Sequence, residues 1–207
     1  MRVAVIGASG RTGRATVKHA LAAGLDVVSV VRNPSSAPQG TAVAQADARD
    51  SEALAAAVKG ADAVVSCLGH VASDRDPTVL QDGAKALVAA MASAGVPRLV
   101  AVSAAGAFVA GDDPLSRFVA KPILDRVLRV NNQDTRAMET VIRASDTSWT
   151  LLRPSRLIAG DGGAGYRCRL DVSVWWHYNT RFDTVGRAAV DAIGKPDWAG
   201  HAVFITE

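Results

Sequence analysis

The 207 residues are 49% apolar and 21% charged, with a formal net charge of +3, a balance that suits one well-buried globular domain and excludes a disordered chain. No apolar run nears the roughly 18 residues of a membrane span, and residues 3–6 are too short and too glycine-bounded for a secretory leader, so a cytoplasmic address is expected. The basic residues are mostly arginines scattered among acids, which argues against nucleic acid as the main partner, and Cys67 and Cys168 have no CxxC partner, so no metal site or redox pair is indicated.

An apolar strand over residues 2–6 runs into Gly7, Gly10 and Gly13, spaced G-x-x-G-x-x-G, and a helix is predicted over 14–23. That order is what a dinucleotide pyrophosphate site requires. The first glycine permits a sharp exit from the strand, the second lets backbone approach the pyrophosphate, and the third lets the helix pack closely on the sheet. The free N–H groups of the helix then face the anion. A second buried strand is predicted over 26–31. An NAD site usually carries an acid at this strand end for the ribose 2′-hydroxyl, whereas this chain has Arg32-Asn33, and an arginine pairs with the 2′-phosphate of NADP. Arg11 can assist from within the turn. The other reading of Arg32 is a solvated strand end.

A Pro/Ser/Gly loop over 33–40 leads to a short strand over 41–46 and to Asp47-Ala48. Asp50 or Ser51 caps a helix over 52–58, and a strand over 62–69 ends at Leu68-Gly69, where a nicotinamide ribose would pass. Asp76-Pro77 starts the next helix, which Gly95-Val96-Pro97 ends. A strand over 98–102 leads into Ser103 and the small residues after it. Asp113-Pro114 opens a helical stretch reaching residue 128, Asn131-Asn132 breaks it, and a separate helix is expected over 134–145. A strand over 149–154 and a glycine-rich loop over 155–165 follow. The C-terminal part reads as a short strand over 170–176, a helix over 184–193 capped by Asp183, and a strand over 202–205. Strands alternating with helices imply an α/β fold, a single-domain Rossmann-like doubly wound parallel sheet with helices on both faces, its ligand crevice beyond the strands' carboxyl ends. The economical reading is one domain over 1–207, with residues 155–182 as the substrate-side lobe.

Gly7-Ala8-Ser9-Gly10-Arg11-Thr12-Gly13, Val31-Arg32-Asn33, Asp47, Ser66-Cys67-Leu68-Gly69, Val102-Ser103 and Trp149-Thr150-Leu151-Leu152-Arg153-Pro154 occur in this order. In this the chain resembles the atypical short-chain dehydrogenase/reductase superfamily. More narrowly it resembles the compact NAD(P)H-binding members of flavin reductase/biliverdin reductase B type and the NmrA-like proteins. The resemblance implies that Gly7, Ser9, Gly10, Arg11, Thr12 and Gly13 hold the pyrophosphate, that Arg32 takes the 2′-phosphate and that Asp47 and Ala48 border the adenine. Leu68, Gly69 and Ser103 would line the ribose and nicotinamide side, and Arg153, Pro154 and Ser155 the wall between cofactor and substrate. The implied cofactor is NADP(H), with NAD(H) as the other candidate.

Carbonyl-reducing members use a Tyr-x-x-x-Lys pair, in which lysine lowers the tyrosine pKa for proton exchange. Here the tyrosines are Tyr166 and Tyr178, neither followed by lysine four residues on, and residues 129–139 contain neither type. A flavin or quinone takes hydride at an electron-poor ring and its proton from water, so positioning suffices. The leading expectation is an NADPH-dependent reductase of such a flat acceptor. The alternative is an NmrA-like dinucleotide sensor acting through a protein partner without turnover. Ser103, the candidate catalytic residue, either bonds nicotinamide or acceptor or only closes the strand-end turn. His70 is placed to meet the substrate. His19 reads as a helix-surface residue and His201 as a loop residue. Trp175 and Trp176, beside His177, either stack on an aromatic acceptor or fill core or dimer contacts. The partners expected are a small-molecule acceptor and at most a second copy of the chain, as monomer or homodimer, with neither nucleic acid nor membrane.

Overall fold

The computed structural model describes residues 1–70, 77–108, 128–163 and 165–207, together with residues 114, 118 and 126. Its strands are β1 (Arg2–Ile6), β2 (Asp26–Val31), β3 (Ala42–Gln45), β4 (Ala63–Ser66), β5 (Arg98–Val102), β6 (Ser148–Pro154), β7 (Arg156–Ile158), β8 (Arg167–Leu170), β9 (Asn179–Arg181) and β10 (Ala202–Thr206). The helices described are α1 (Arg11–Ala22), α2 (Ser51–Val58), α3 (Val79–Ala94), α4 (Arg129–Arg143) and α5 (Phe182–Ile193).

Eight strands form one sheet in the order β3-β2-β1-β4-β5-β6-β10-β8, and β7 and β9 pair separately. Every pairing in the large sheet is parallel except β10 with the edge strand β8. The order reverses at β1, where β2 pairs on one side and β4 on the other. A doubly wound sheet binds ligands at such a switch point.

Strand alternation explains the two layers. Ala4 and Ile6 face the cluster that holds Leu54, Leu87, Met91, Met138 and Ile142 of α2, α3 and α4. Val3 and Val5, of opposite parity, face the cluster that holds Val17 and Ala20 of α1 and Val185, Ala188 and Ala189 of α5. Successive side chains of a strand point to opposite faces, so a run of apolar residues feeds both cores. The helices α1 and α5 touch closely because Gly186 has no side chain: a Cβ there would lie 2.5 Å from the Ala15 carbonyl carbon. No helix among the described residues is long and apolar enough to cross a membrane.

Several boundaries differ from expectation, each for a local reason. The first helix begins at Arg11, with Gly10 as its N-cap, so Gly13 lies inside the first turn. Asn131-Asn132 does not break the chain: α4 runs through both, and the Asn131 carbonyl accepts the Thr135 hydroxyl at 2.8 Å. Asp134 therefore does not start a helix. Asp183 is not a cap either; Arg181 holds that position, and Asp183 is buried in the first turn of α5. The strand expected over 170–176 instead occupies Arg167–Leu170, ending where Asp171 turns to φ 60°. Residues 156–158 of the expected loop form β7. Asp76 and most of the helical stretch read over 114–128 lie outside the described residues.

Candidate functional site

The carboxyl ends of β1, β2 and β4, with the turns after them, enclose a cleft of about 240 Å³ at the switch point. Gly7, Ser9, Gly10, Arg32, Asp47, Ala48, Leu68 and Gly69 line it, joined by Arg49, Cys67 and Val79. The sequence and its family resemblance named the first eight from four separate strand ends, those of β1, β2, β3 and β4, and the sheet brings those ends together.

The glycine turn is built by steric exclusion. Gly7 leaves the strand at φ +74°, a left-handed conformation, and its N–H donates to the Val30 carbonyl at 3.1 Å. At Gly13 a Cβ would lie 2.2 Å from the Gly7 carbonyl oxygen and 2.7 Å from the Ala8 Cα, so only glycine permits α1 to sit this close to the turn. Gly10 is under a different constraint: its backbone is extended (φ −72°) and a Cβ would meet only the Gly7 oxygen, at 3.3 Å. The first N–H groups of α1 carry no side-chain cap, so their positive dipole end is available to an anion.

Arg14, which sequence reasoning passed over, ties the turn to the loop after β2. Its Nε donates to the Ser9 carbonyl at 3.0 Å and its Nη2 to the Ser36 carbonyl at 2.8 Å. Within that loop the Asn33 carboxylamide oxygen accepts the Ser35 N–H at 3.1 Å, and Gln45 donates to the Arg32 carbonyl at 3.1 Å. Arg11 and Thr12 do not line the cleft. The Arg11 guanidinium stacks on the Phe182 ring, 4.2 Å from its centroid, and the Thr12 carbonyl accepts the Thr16 hydroxyl. Cys67 sits at the cleft floor with Thr16 Oγ1 3.4 Å from its sulfur. Burial pushes its thiol up to about 11, so it is no nucleophile at neutral pH.

Ser103, Arg153 and Pro154 lie at the ends of β5 and β6, away from the cleft lining. Ser103 donates its hydroxyl to Glu139 Oε1 at 2.6 Å. Arg153 meets the same carboxylate with two bonds, Nε to Oε1 at 2.9 Å and Nη2 to Oε2 at 2.5 Å. Its guanidinium lies 3.5 Å from the Phe108 ring centroid and 5.1 Å from that of Phe204, and both members of the pair are buried. Glu139 was not singled out from the sequence, because a lone glutamate on a helix reads as a surface residue. Pro154 ends β6 opposite Ile205. Ser155 donates to the His177 carbonyl at 3.2 Å.

His70 follows Gly69 out of β4, and its Nε2 lies 3.3 Å from Asp134 Oδ2. The Asp134 carboxylate is fully buried and accepts the Leu80 and Gln81 N–H groups, each at 2.9 Å, so a residue of α4 caps α3. His19 is not a free surface residue: its Nε2 lies 3.1 Å from Asp183 Oδ1. Trp175 and Trp176 are 47% and 61% exposed, which removes the core-filling reading. Tyr166 donates to Asp191 at 2.7 Å, on the C-terminal side of the molecule.

A parallel sheet with a glycine turn at its switch point defines a Rossmann-like dinucleotide-binding protein. The sequence model of a family described as NAD(P)H-binding matches residues 7–196, and the chain belongs to that family. The protein YwnB of Bacillus subtilis is 27% identical over 157 residues, 75% of this chain and 72% of that protein. An uncharacterized protein of Mycobacterium tuberculosis is 38% identical over 104 residues, 50% of this chain but 12% of its own length; the chain thus spans only a small part of that relative. Among solved structures, a Burkholderia pseudomallei protein described as exported superposes over all of both chains with TM-score 0.85 at 24% identity. A short-chain dehydrogenase/reductase of Veillonella parvula in complex with NADP covers all of this chain and 94% of its own with TM-score 0.83 at 17% identity. ChuY, an anaerobillin reductase of Escherichia coli O157:H7, covers all of this chain and 97% of its own with TM-score 0.79 at 20% identity. At these identities the likeness is one of fold.

Proposed function

We propose that the chain is an NADPH-dependent reductase that passes hydride to a flat, conjugated acceptor such as a flavin or quinone. The residues present suit a dinucleotide. The glycine turn leaves helix N–H groups uncapped toward the cleft, and Arg32 stands at the β2 end where an NAD site would carry an acid. The neighbours named as a dehydrogenase/reductase and an anaerobillin reductase support the same class of chemistry.

The observation that carries the reading is the commitment of Ser103's proton. Its hydroxyl donates to a carboxylate already paired with Arg153, so it offers a ligand an acceptor and not an acid. Tyr166, bonded to Asp191, does not supply the acid of a carbonyl reductase. Bound NADPH supplies the hydride. The chain's own part is to hold the dinucleotide along the β1, β2 and β4 ends and to fix Ser103 as a hydrogen-bond acceptor. The acceptor's proton then comes from solvent.

Steady-state NADPH oxidation against FMN, riboflavin, quinones and simple aldehydes, with NADH in parallel, tests this. The expected result is saturable turnover of flavin or quinone, preferring NADPH. Turnover of aldehydes alone would overturn the acceptor class. Tight NADPH binding with no turnover of any acceptor would replace the reductase by a dinucleotide sensor.

A further inference from the structure

The aromatic segment over residues 175–178 lies outside the dinucleotide cleft, yet the fold holds it on the same edge of the sheet. β5, β6 and β10 are neighbouring parallel strands; Ser103 follows the first, Ser155 the second and Glu207 the third. The His177 carbonyl accepts the Ser155 and Thr206 hydroxyls, each at 3.2 Å, and the Tyr178 carbonyl accepts the Arg156 N–H at 2.9 Å. The segment is thereby fixed across the carboxyl ends of β6 and β10. The cleft occupies the ends of β2, β1 and β4, and β5 with Ser103 comes next in the sheet. β10 stands two strand spacings beyond β5, roughly 10 Å.

Ile158, Trp176, His177, Tyr178, Arg181 and Glu207 line a cavity of about 370 Å³ there, a size that suits a small ring system. Trp176 has φ 65°, a left-handed backbone that is strained for so bulky a residue, and strain of this kind gathers at ligand sites. Its indole is nonetheless 61% exposed, so a strained backbone presents a large flat ring to solvent. The charges of the cavity are already engaged with each other. Arg181 Nη1 donates to Glu207 Oε2, Thr184 Oγ1 donates to Oε1, and the Arg181 N–H reaches Oε1 at 3.3 Å. Guanidinium and carboxylate neutralise each other, which leaves little for an anionic ligand group. Arg181 also connects the cavity to the glycine turn: the next residue, Phe182, carries the Arg11 guanidinium 4.2 Å from its ring centroid.

We propose that this cavity is the acceptor subsite, a seat for an uncharged fused aromatic ring system, with Trp176 as the stacking residue that selects it. The inference rests on the reductase reading above and deepens it by naming the seat of the acceptor and the part of it that is recognised. An indole offers an electron-rich face on which a flat ring stacks in offset geometry, and isoalloxazine and quinone rings are electron-poor. A ring seated against Trp176 extends along the strand ends toward Ser103. A phosphate tail on it gains nothing from the Arg181–Glu207 pair.

The test is a titration of riboflavin, with and without saturating NADP⁺, in which stacking on an indole quenches the flavin fluorescence. Wild type is expected to quench riboflavin saturably. Trp176→Phe should weaken binding about threefold and Trp176→Leu about tenfold, as for the loss of an aromatic pair, with FMN within about twofold of riboflavin. NADPH affinity, read by nicotinamide fluorescence, should stay within about twofold in all three proteins, and in turnover Trp176→Leu should raise the KM for riboflavin with kcat little changed. Riboflavin affinity unchanged in Trp176→Leu, or weakened equally with that for NADPH, would overturn the subsite while leaving the reductase reading in place. A wild type that quenches riboflavin in neither condition would overturn it as well. So would a shift in oligomeric state of Trp176→Leu on size-exclusion chromatography with riboflavin affinity unchanged, which would make Trp176 a contact between copies. Quenching that Trp176→Leu abolishes, in a wild type that oxidises NADPH with no acceptor, would keep the ring site and bring down the reductase reading instead.

Discussion

Gly10 and Gly13 are three residues apart in one motif, yet the structure asks different things of them. A Cβ at Gly13 would stand 2.2 Å from backbone oxygen, which no side-chain rearrangement relieves. Gly13→Ala is expected to destabilise the protein by roughly 3 kcal/mol, the upper end for overpacking, read as a shifted urea midpoint. At Gly10 a Cβ meets only one contact, at 3.3 Å, so Gly10→Val should shift the urea midpoint much less than Gly13→Ala and still abolish NADPH binding by filling the space a phosphate needs. Glu139 makes a third case. Replacing it by alanine leaves Arg153 charged and buried without its partner, at a cost of about 3–5 kcal/mol. Substituting methionine at both positions should recover most of that stability, since it removes both buried charges together. Cys67 and Cys168 should differ as sharply: at pH 8 a disulfide reagent is expected to titrate the exposed Cys168 quickly and Cys67 only on unfolding, since burial pushes the latter up to about 11.

At the scale of elements, α3 depends on another helix for its start. Thr78, its own N-cap residue, gives no side-chain cap bond, and Asp134 of α4 supplies the acceptor for two of its first N–H groups. Asp134→Ala should cost about 1–2 kcal/mol, as for the loss of a strong cap, and hydrogen exchange should rise at the Leu80 and Gln81 amides before the rest of α3. This link was not legible in the sequence, where Asp134 looked like the start of its own helix and Asn131-Asn132 like a break. Asparagine is a weak helix former in isolation. Here Asn132 is buried and its N–H donates to the Leu128 carbonyl at 2.8 Å, so packing overrides propensity. The first β-α unit, by contrast, was legible in its strand and its glycine turn, with only the helix start displaced by three residues, because both the apolar strand and the glycine spacing act within a dozen residues.

For the whole molecule, acid is the condition that probes how the layers are joined. Asp183 connects α5 to α1: Lys18 Nζ reaches its Oδ1 at 2.8 Å and His19 Nε2 lies 3.1 Å away. Burial alone would raise its carboxyl, but the hydrogen bonds from Lys18 and His19 outweigh burial and hold it below the ordinary carboxylate range. A carboxyl with a depressed folded pKa contributes stability that is present above the unfolded value near 4 and is lost as pH falls through the folded value. Stability is therefore expected to decline below about pH 4. Asp183→Asn should flatten that acid limb, a comparison made by urea unfolding at pH 3 and pH 6.

The alternation of strands and helices, the parallel sheet it implies and the glycine turn at the first strand's end were all set by the sequence alone. These follow from local periodicity and from the sterics of single residues. Eight of the residues that line the cleft were named in advance from the glycine turn, the strand ends and the family resemblance, and they meet because parallel strands bring their carboxyl ends to one edge. What only the tertiary structure decided are the partners of charged groups. Arg153 belongs to Glu139, Asp134 to the start of α3 and Asp183 to Lys18 and His19. A charge acts over distances set by folding and not by spacing along the chain, so its role appears only when the elements that carry it have packed.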